Sequence, residues 1–458
     1  MLADLTLAAR SLLRNRRRTL TTVIAIAIGC VAMVVFGGFS TAISLGLESS
    51  IARRQGHLHI YPQGYLDYGA ANPSDYAIDA PDRLIDAIQA ITELKGRIVL
   101  ATPILELNGI AGNFREQASK TFAGLGVRPD DMNRLAVWDG YGIGGSAPHW
   151  GIASSDSEGA VIGIGMARML SLCDELQIDG CHDRVKTVPQ GDQDQGIQAL
   201  MNNLGEPSEA EGQPVIDLLA ATGQGAPNVV SVLVREGARQ SVTAMDDMFV
   251  GMHLTQAQKL LYGGEDKATA IVLQLSSLAA AAEVREILAQ HLPTLQPGLE
   301  VRELDEFEPM FGKILGMFNA VFVFVALVIA IVVLFTVANT MTMSVIERTG
   351  EVGTLRALGV RRSGIRRQFL LEGLLIGTSG ASLGILLGIL VSQLISSLGL
   401  SWSPPSSPVG QPLVILPLAR PLVPLLLWLV LIVVTILSSL APAARAARQT
   451  IVDAIHHI

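Results

Sequence analysis

The chain has 458 residues, of which 50% are hydrophobic and only 16% charged, with a formal net charge of −8. A charged fraction so far below the roughly 25% of ordinary domains excludes a purely soluble protein. The acidic balance argues against nucleic acid as a partner, because phosphate backbones demand a basic face.

The apolar residues are concentrated in four blocks, 19–47, 314–346, 373–398 and 421–444. Each exceeds the ~20 residues that cross a ~30 Å hydrocarbon core. Residues 1–18 read as a cytoplasmic amphipathic helix, with Leu2, Leu5, Leu12 and Leu13 toward lipid and arginines toward headgroups. Residues 19–47 are the first predicted span. Its apolar run is about twice a signal-peptide core and no small-x-small site ends it, so an uncleaved anchor is expected. Cys30 inside it reads as a small packing residue.

Residues 48–311 have ordinary soluble composition and are long enough for one or two cores of their own. Residues 57–61 alternate as a strand, and Pro81 opens a helix with a Leu84, Ile85, Ile88 and Ile91 stripe. Residues 98–107, 120–127, 229–235 and 269–275 read as strands, and 159–172 as a strand passing into a short helix. Ser277 caps a helix that runs to about His291, with Val284, Ile287 and Leu288 inward. Strand–helix–strand units near both ends predict a two-part α/β body around a more β-rich insertion. Residues 183–228 are rich in Gln, Gly, Asp, Glu and Pro and read as a mobile insertion, despite one apolar stretch at 215–221. Cys173 and Cys181 either close a local disulfide in an oxidising compartment or remain two buried thiols. The disulfide is the expectation.

The second span lies within residues 312–346, the third is 373–398, a Ser/Pro-containing outer loop is 399–420, and the fourth span is 421–444. Residues 445–458 form a tail. Arginines crowd the start (Arg10, Arg14, Arg16, Arg17, Arg18), the segment 347–372 (Arg361, Arg362, Arg366, Arg367) and the tail (Arg445, Arg448). The positive-inside rule puts all three in the cytoplasm and residues 48–311 outside. Asn339 is expected to face another helix. Gly373, Gly377, Gly380, Gly384 and Gly388 form a small-residue face for close packing, within the chain or across a dimer. The predicted fold class is an α-helical membrane protein with four transmembrane helices plus a large α/β (α+β) extracytoplasmic domain.

No catalytic, cofactor-binding or metal site is expected. The phosphate-loop pattern Gly-x-x-x-x-Gly-Lys-Ser/Thr is absent, and the Gly-rich runs 140–145 and 163–165 read as turns. His57 and His59 share one strand face without a further ligand at metal spacing, and read as a surface strand. His456 and His457 read as a solvated tail, and there is neither a nucleophile elbow nor a zincin motif. The informative segment is 347–372, Glu-Arg-Thr-Gly-Glu-Val-Gly-Thr-Leu-Arg-Ala-Leu-Gly-Val-Arg-Arg-Ser-Gly-Ile-Arg-Arg-Gln-Phe-Leu-Leu-Glu. Gly350 and Gly353 are read as permitting a tight re-entry after the second span, Thr354 to Leu358 as one short helix, and Gly359 as its end. Glu351 and Arg356 then project at the cytoplasmic face, where a short helix held between two spans can carry force from a soluble motor.

Four stretches, 7–20, 338–359, 442–448 followed by Ala454, and the outer segments 121–127 and 159–170, resemble the FtsX-like permease family of ABC transporters. That group includes the macrolide exporter MacB and the lipoprotein-releasing LolC and LolE permeases. The resemblance implies a mechanotransmission permease of the cell inner membrane, working with two copies of a separate ATPase that binds ATP and Mg. It implies that Glu351, Gly353, Thr354, Leu355, Arg356, Leu358 and Gly359 form the ATPase-coupling segment. A second permease (homodimer or heterodimer), a periplasmic adaptor or substrate-accepting protein, and membrane lipids are the implied partners, with no cofactor in this chain. The sequence departs from the family in having Ile451 where proline is usual, in carrying no fused ATPase domain, and in the insertion 183–228. The substrate is therefore open among lipoproteins, lipid-like molecules, peptides and drugs. A transducer that activates an extracytoplasmic hydrolase and a motorless membrane-anchored receptor are the alternative readings.

Overall fold

A computed structural model describes residues 2–69, 73–142, 149–181, 213–223, 225–240, 243–307, 309–402 and 411–449. Most of the insertion 183–228, part of the Gly-rich run 140–145, residues 403–410 of the outer loop, Ile451, Ala454 and the final histidines lie outside the described residues. The chain divides into two units: Met1–Leu45 with Lys313–Trp402 and Pro412–Ile458, and Gly46–Gly312 with Ser403–Gln411.

The first unit is helical. Among the described residues, four helices are long and apolar enough to cross a membrane: Arg16–Gln55, Met310–Glu347, Arg362–Ser397 and Leu422–Arg448. The glycine face of the third span is used inside the chain. Gly373 and Gly377 abut Ser439 and Thr435 of the fourth span, whereas Gly380, Gly384 and Gly388 abut Ile26, Cys30 and Val34 of the first. Small residues let the backbones approach, which in lipid substitutes for a hydrophobic driving force. Asn339 is exposed and does not pack against the other helices of this chain. The buried stripe of the second span is Val333, Val337 and Met341. Asn339 lies two residues from both Val337 and Met341, about 200° round a helix with ~3.6 residues per turn.

Among the described residues, the second unit carries a nine-stranded sheet. Its strands are β1 (Leu58–Pro62), β2 (Ile98–Asn113), β3 (Ala118–Val127), β4 (Gly159–Ile162), β5 (Val215–Ala221), β6 (Pro227–Gly237), β7 (Phe249–His253), β8 (Ala270–Leu275) and β9 (Leu299–Glu303). They run in the order β9-β1-β8-β2-β3-β7-β4-β6-β5, and β5 pairs back onto β2. Six strands, β2 to β7, thus form a closed ring, filled by Leu107, Phe122, Ile162, Leu218, Val232 and Met252. The remaining sheet, β9-β1-β8 with the start of β2, is covered by the helices Pro81–Gln89 and Ala281–Leu295, whose Ile85, Ile88, Val284 and Leu288 meet Leu58, Ile60 and Leu273. β2 spans 16 residues and serves both cores. Cys173 and Cys181 are joined by a disulfide, and Cys30 is a buried free thiol.

Two expectations are corrected here. Val215–Ala221 is a paired strand with buried Ile216 and Leu218, so this part of the insertion is built into the ring. His57 and His59 are only 2% exposed each, not on a surface strand. The second face of β1 is covered as well, with Trp138 edge-on to His57 and Phe307 stacked on His59. His57 Nδ1 accepts the Leu275 amide at 3.1 Å. His59 Nε2 donates to the Gln55 carbonyl at 2.5 Å. Its Nδ1 is then the acceptor for the Tyr61 hydroxyl, 2.7 Å away, while the Tyr65 hydroxyl donates to Glu106 at 2.7 Å.

This interior is sensitive to acid. Burial pushes both imidazoles down from 6.5 to about 4, so the unfolded chain binds their protons first. Their contribution is complete above pH 6.5 and is lost as pH falls toward 4. Burial raises the Glu106 carboxyl above 4.5, outweighing its tyrosine hydrogen bonds, and its contribution runs the other way, fading as pH rises through its folded value. Two imidazoles outweigh one carboxyl, so the net effect is a loss of stability as pH falls. Melting followed by tryptophan fluorescence should shift down by several degrees between pH 6.5 and pH 5, and His57→Gln should make the shift smaller. A flat profile would show that the imidazoles are not held neutral.

Candidate functional site

The second span, Pro309–Glu347, stops at Arg348, and a new helix begins at Thr349 and runs to Ala357. The break is Arg348 itself, with φ −107° and ψ 16°, in the sparsely occupied bridge region. Gly350 and Gly353 lie inside this helix, so they do not make the re-entry turn. The helix also starts a full turn earlier than Thr354. Its end does sit at Gly359, whose φ of +91° is a left-handed conformation that only glycine adopts without strain. There Gly359 and Val360 donate backbone bonds to the Arg356 and Leu355 carbonyls, both at 3.1 Å.

The coupling candidates separate by exposure. Gly353 is buried together with Val352, Leu355 and Arg356 are half-buried, and Glu351, Thr354, Leu358 and Gly359 are exposed. Val352 joins Val345, Ile365, Phe369, Ala443 and Ala446 in a small core that holds the helix against the third and fourth spans. Thr354 returns its hydroxyl to the Gly350 carbonyl at 2.8 Å. Arg356 is tethered, because its Nη1 donates to the Gln449 carbonyl at 2.6 Å. Leu358 is 78% exposed, with Val360 beside it at 38%. The tip is therefore an apolar knob next to the exposed Arg361 and Arg362.

Three residues that sequence reasoning did not single out complete the site. Arg348, 8% exposed, and Glu372, 1% exposed, form an ion pair at 2.7 Å. Ser11 donates to Glu372 Oε1 at 2.6 Å and accepts from Arg348 Nη1 at 2.7 Å. The same guanidinium reaches Glu351 through Nε at 3.0 Å and lies over the Phe369 ring. Arg14 also donates to Glu351, and Arg18 makes two bonds to Glu347 at 2.6 and 2.7 Å. Burial pushes the Glu351 carboxyl up, but the bonds from Arg348 and Arg14 outweigh it and hold the group below the usual carboxylate range. The one available signal was that Glu372 is the last charge before a long uncharged block. Among the described residues, no group of three or more His, Cys, Asp or Glu is placed to hold a metal.

A family model for the FtsX-like permease C-terminal domain matches residues 322–451. The chain is 41% identical over 68 residues to the ABC transporter permease YtrF of Bacillus subtilis, covering 15% of this chain and 16% of that one. It is 29% identical over 124 residues to the macrolide export ATP-binding/permease protein MacB of Rhodopseudomonas palustris, covering 26% and 19%. The matches thus span less than a fifth of the length of these relatives. Among solved structures, the extracellular domain of the noncanonic ABC-type transporter YknZ from Gram-positive bacteria aligns with a TM-score of 0.31 at 10% identity, over 54% of this chain and all of that one.

Proposed function

We propose, from the match of residues 322–451 to the FtsX-like permease C-terminal model, that the chain is an ABC permease subunit of the mechanotransmission type. Two copies of a separate ABC ATPase bind ATP and Mg and act on the helix Thr349–Ala357 from the cytoplasm. The movement passes to the outer domain, which transfers or releases a lipoprotein, lipid-like molecule, peptide or drug. The observation that carries the reading is Leu358, a 78% exposed leucine at the tip of a helix fixed from behind by a buried core. Large apolar groups on rigid supports are what protein interfaces use as anchors. A second permease packs against the second span. The apolar window of that span is only 11% buried, against 33–39% in the other three, and it exposes Asn339, whose amide is costly in lipid unless paired.

Leu358→Asp should weaken co-purification of the ATPase by about 30-fold or more, the effect of losing a ~2 kcal/mol anchor. Arg356→Ala should cost only a few-fold, because its guanidinium is already bonded to Gln449. Equal ATPase recovery with wild type and Leu358→Asp would remove the coupling role. The location proposed is the inner membrane, with both termini and residues 347–372 in the cytoplasm, supported by the exposed Arg361, Arg362 and Arg366. In intact cells an impermeant thiol reagent should modify Gln213→Cys and spare Ser363→Cys. Modification of the latter would reverse the assignment.

A further inference from the structure

We propose that Arg348 is the positioning residue of the cytoplasmic helix: paired with Glu372 and bonded to Ser11, it ties Thr349–Ala357 to the third span and to the N-terminal helix Leu2–Arg14. A displacement of the short helix is then handed to the third span instead of being absorbed where the second span breaks. The transmission of force rests on the permease reading above, whereas the tie itself does not.

A break one residue long between two helices is a hinge unless something spans it. Here the residue at the break supplies the brace. The Arg348 guanidinium, a rigid fork of five N–H donors, contacts Glu372 and Ser11 through Nη1 and Glu351 through Nε, with its plane over Phe369. Ser11 closes a triangle by donating to the same Glu372 oxygen. The N-terminal helix, the short helix and the start of the third span therefore converge on one side chain. The neighbouring pairs Arg14–Glu351 and Arg18–Glu347 are substantially exposed, and water competes for such contacts. The Arg348–Glu372 pair is out of water, so it holds a single geometry or leaves a charge stranded.

A pair that serves only stability behaves differently from one that positions. Apolar residues of similar volume commonly replace a buried ion pair without loss of stability. In Arg348→Met/Glu372→Leu the fold should therefore survive while the directional tie disappears. The test uses the full chain in lipid nanodiscs, with Cys30→Ala to remove the free thiol and spin labels in two pairs: Arg10→Cys with Thr354→Cys, and Thr354→Cys with Ser379→Cys. All three positions are exposed. The otherwise unaltered chain should give one narrow distance distribution for each pair. The double variant should at least double both widths at an unchanged melting temperature. Ser11→Ala, which keeps the ion pair and removes the link to the N-terminal helix, should broaden the Arg10–Thr354 distance and leave the other narrow. Narrow distributions in a folded double variant would overturn the proposal. Should the double variant not fold, an unbroadened Arg10–Thr354 distance in Ser11→Ala would do so. The distances need no ATPase, so failure of the wild-type chain to recover one would sink the permease reading while leaving this result to stand or fall separately.

Discussion

Glu372→Ala is expected to be the most damaging single change in the helical unit, destabilising it by roughly 3–5 kcal/mol. The loss exceeds that of an ordinary hydrogen bond because of what remains. Arg348 stays 8% exposed and cannot shed its proton. Its surviving partners are the Ser11 hydroxyl and Glu351, whose side chain is 43% exposed and already shared with Arg14. Glu351 limits the loss, so the lower end of the range is the better expectation. Glu372→Gln keeps an acceptor for Ser11 and Arg348 and should cost less, yet still leaves an excess buried positive charge. Thermal melting in detergent together with the yield of folded protein in membranes measures the effect. A melting temperature within a degree of wild type for Glu372→Ala would show that Arg348 finds water or another carboxylate.

Gly384→Leu is expected to separate the first and third spans. A Cβ at Gly384 would collide with the Cys30 side chain and lie 2.8 Å from the Ala27 carbonyl oxygen. The second obstacle is backbone of the neighbouring helix, so no rotamer change relieves it. Overpacking in well-filled cores costs about 1–3 kcal/mol when side chains can yield, and here more is expected. The separation has its own reporter. Cys30 is buried, and a membrane-permeant maleimide should modify it in Gly384→Leu but not in the unaltered chain. Gly350→Ala is the control, because nothing lies within 4 Å of a Cβ there. Alanine in a helix interior is favoured over glycine by about 1 kcal/mol. An unreactive Cys30 in Gly384→Leu would mean that the spans tolerate a wider spacing.

The parts that were legible in the sequence are those decided within a short window. The four spans follow from hydropathy. The strands at 229 and 269 follow from β-branched runs, and the end of the cytoplasmic helix from Gly359. The misreadings share a cause: each depended on what the rest of the chain brings near. Val215–Ala221 sits in polar sequence, and only its pairing with β2 and β6 reveals it as a wall of the ring. His57 and His59 alternate with apolar residues, a pattern that implies water on the second face, whereas Trp138 and Phe307 come from far along the chain to cover it. Ser11, Arg348 and Glu372 are unremarkable singly, and no local pattern predicts that they meet. The tether of Arg356 is hidden from the sequence because its acceptor is the backbone of Gln449, a group that side-chain chemistry does not advertise.

The sheet imposes an order of events on synthesis. β1 pairs on one side with β8, Leu58 opposite Leu273, and on the other with β9, Leu58 opposite Glu303. Neither neighbour exists when β1 leaves the ribosome. At ~5–20 residues per second, the strand waits on the order of 10–50 s for its last partner. During that time its buried-to-be Leu58, Ile60 and Tyr61 have no native cover. The six-strand ring needs β2 and β5, also more than a hundred residues apart, so neither core closes locally. Pairing over such separations is intrinsically slow and leaves unpaired strands open to association. A holding factor for the nascent unit, or a pause that lets the later strands arrive, is therefore a more pressing requirement for this chain than for a helical bundle of equal length.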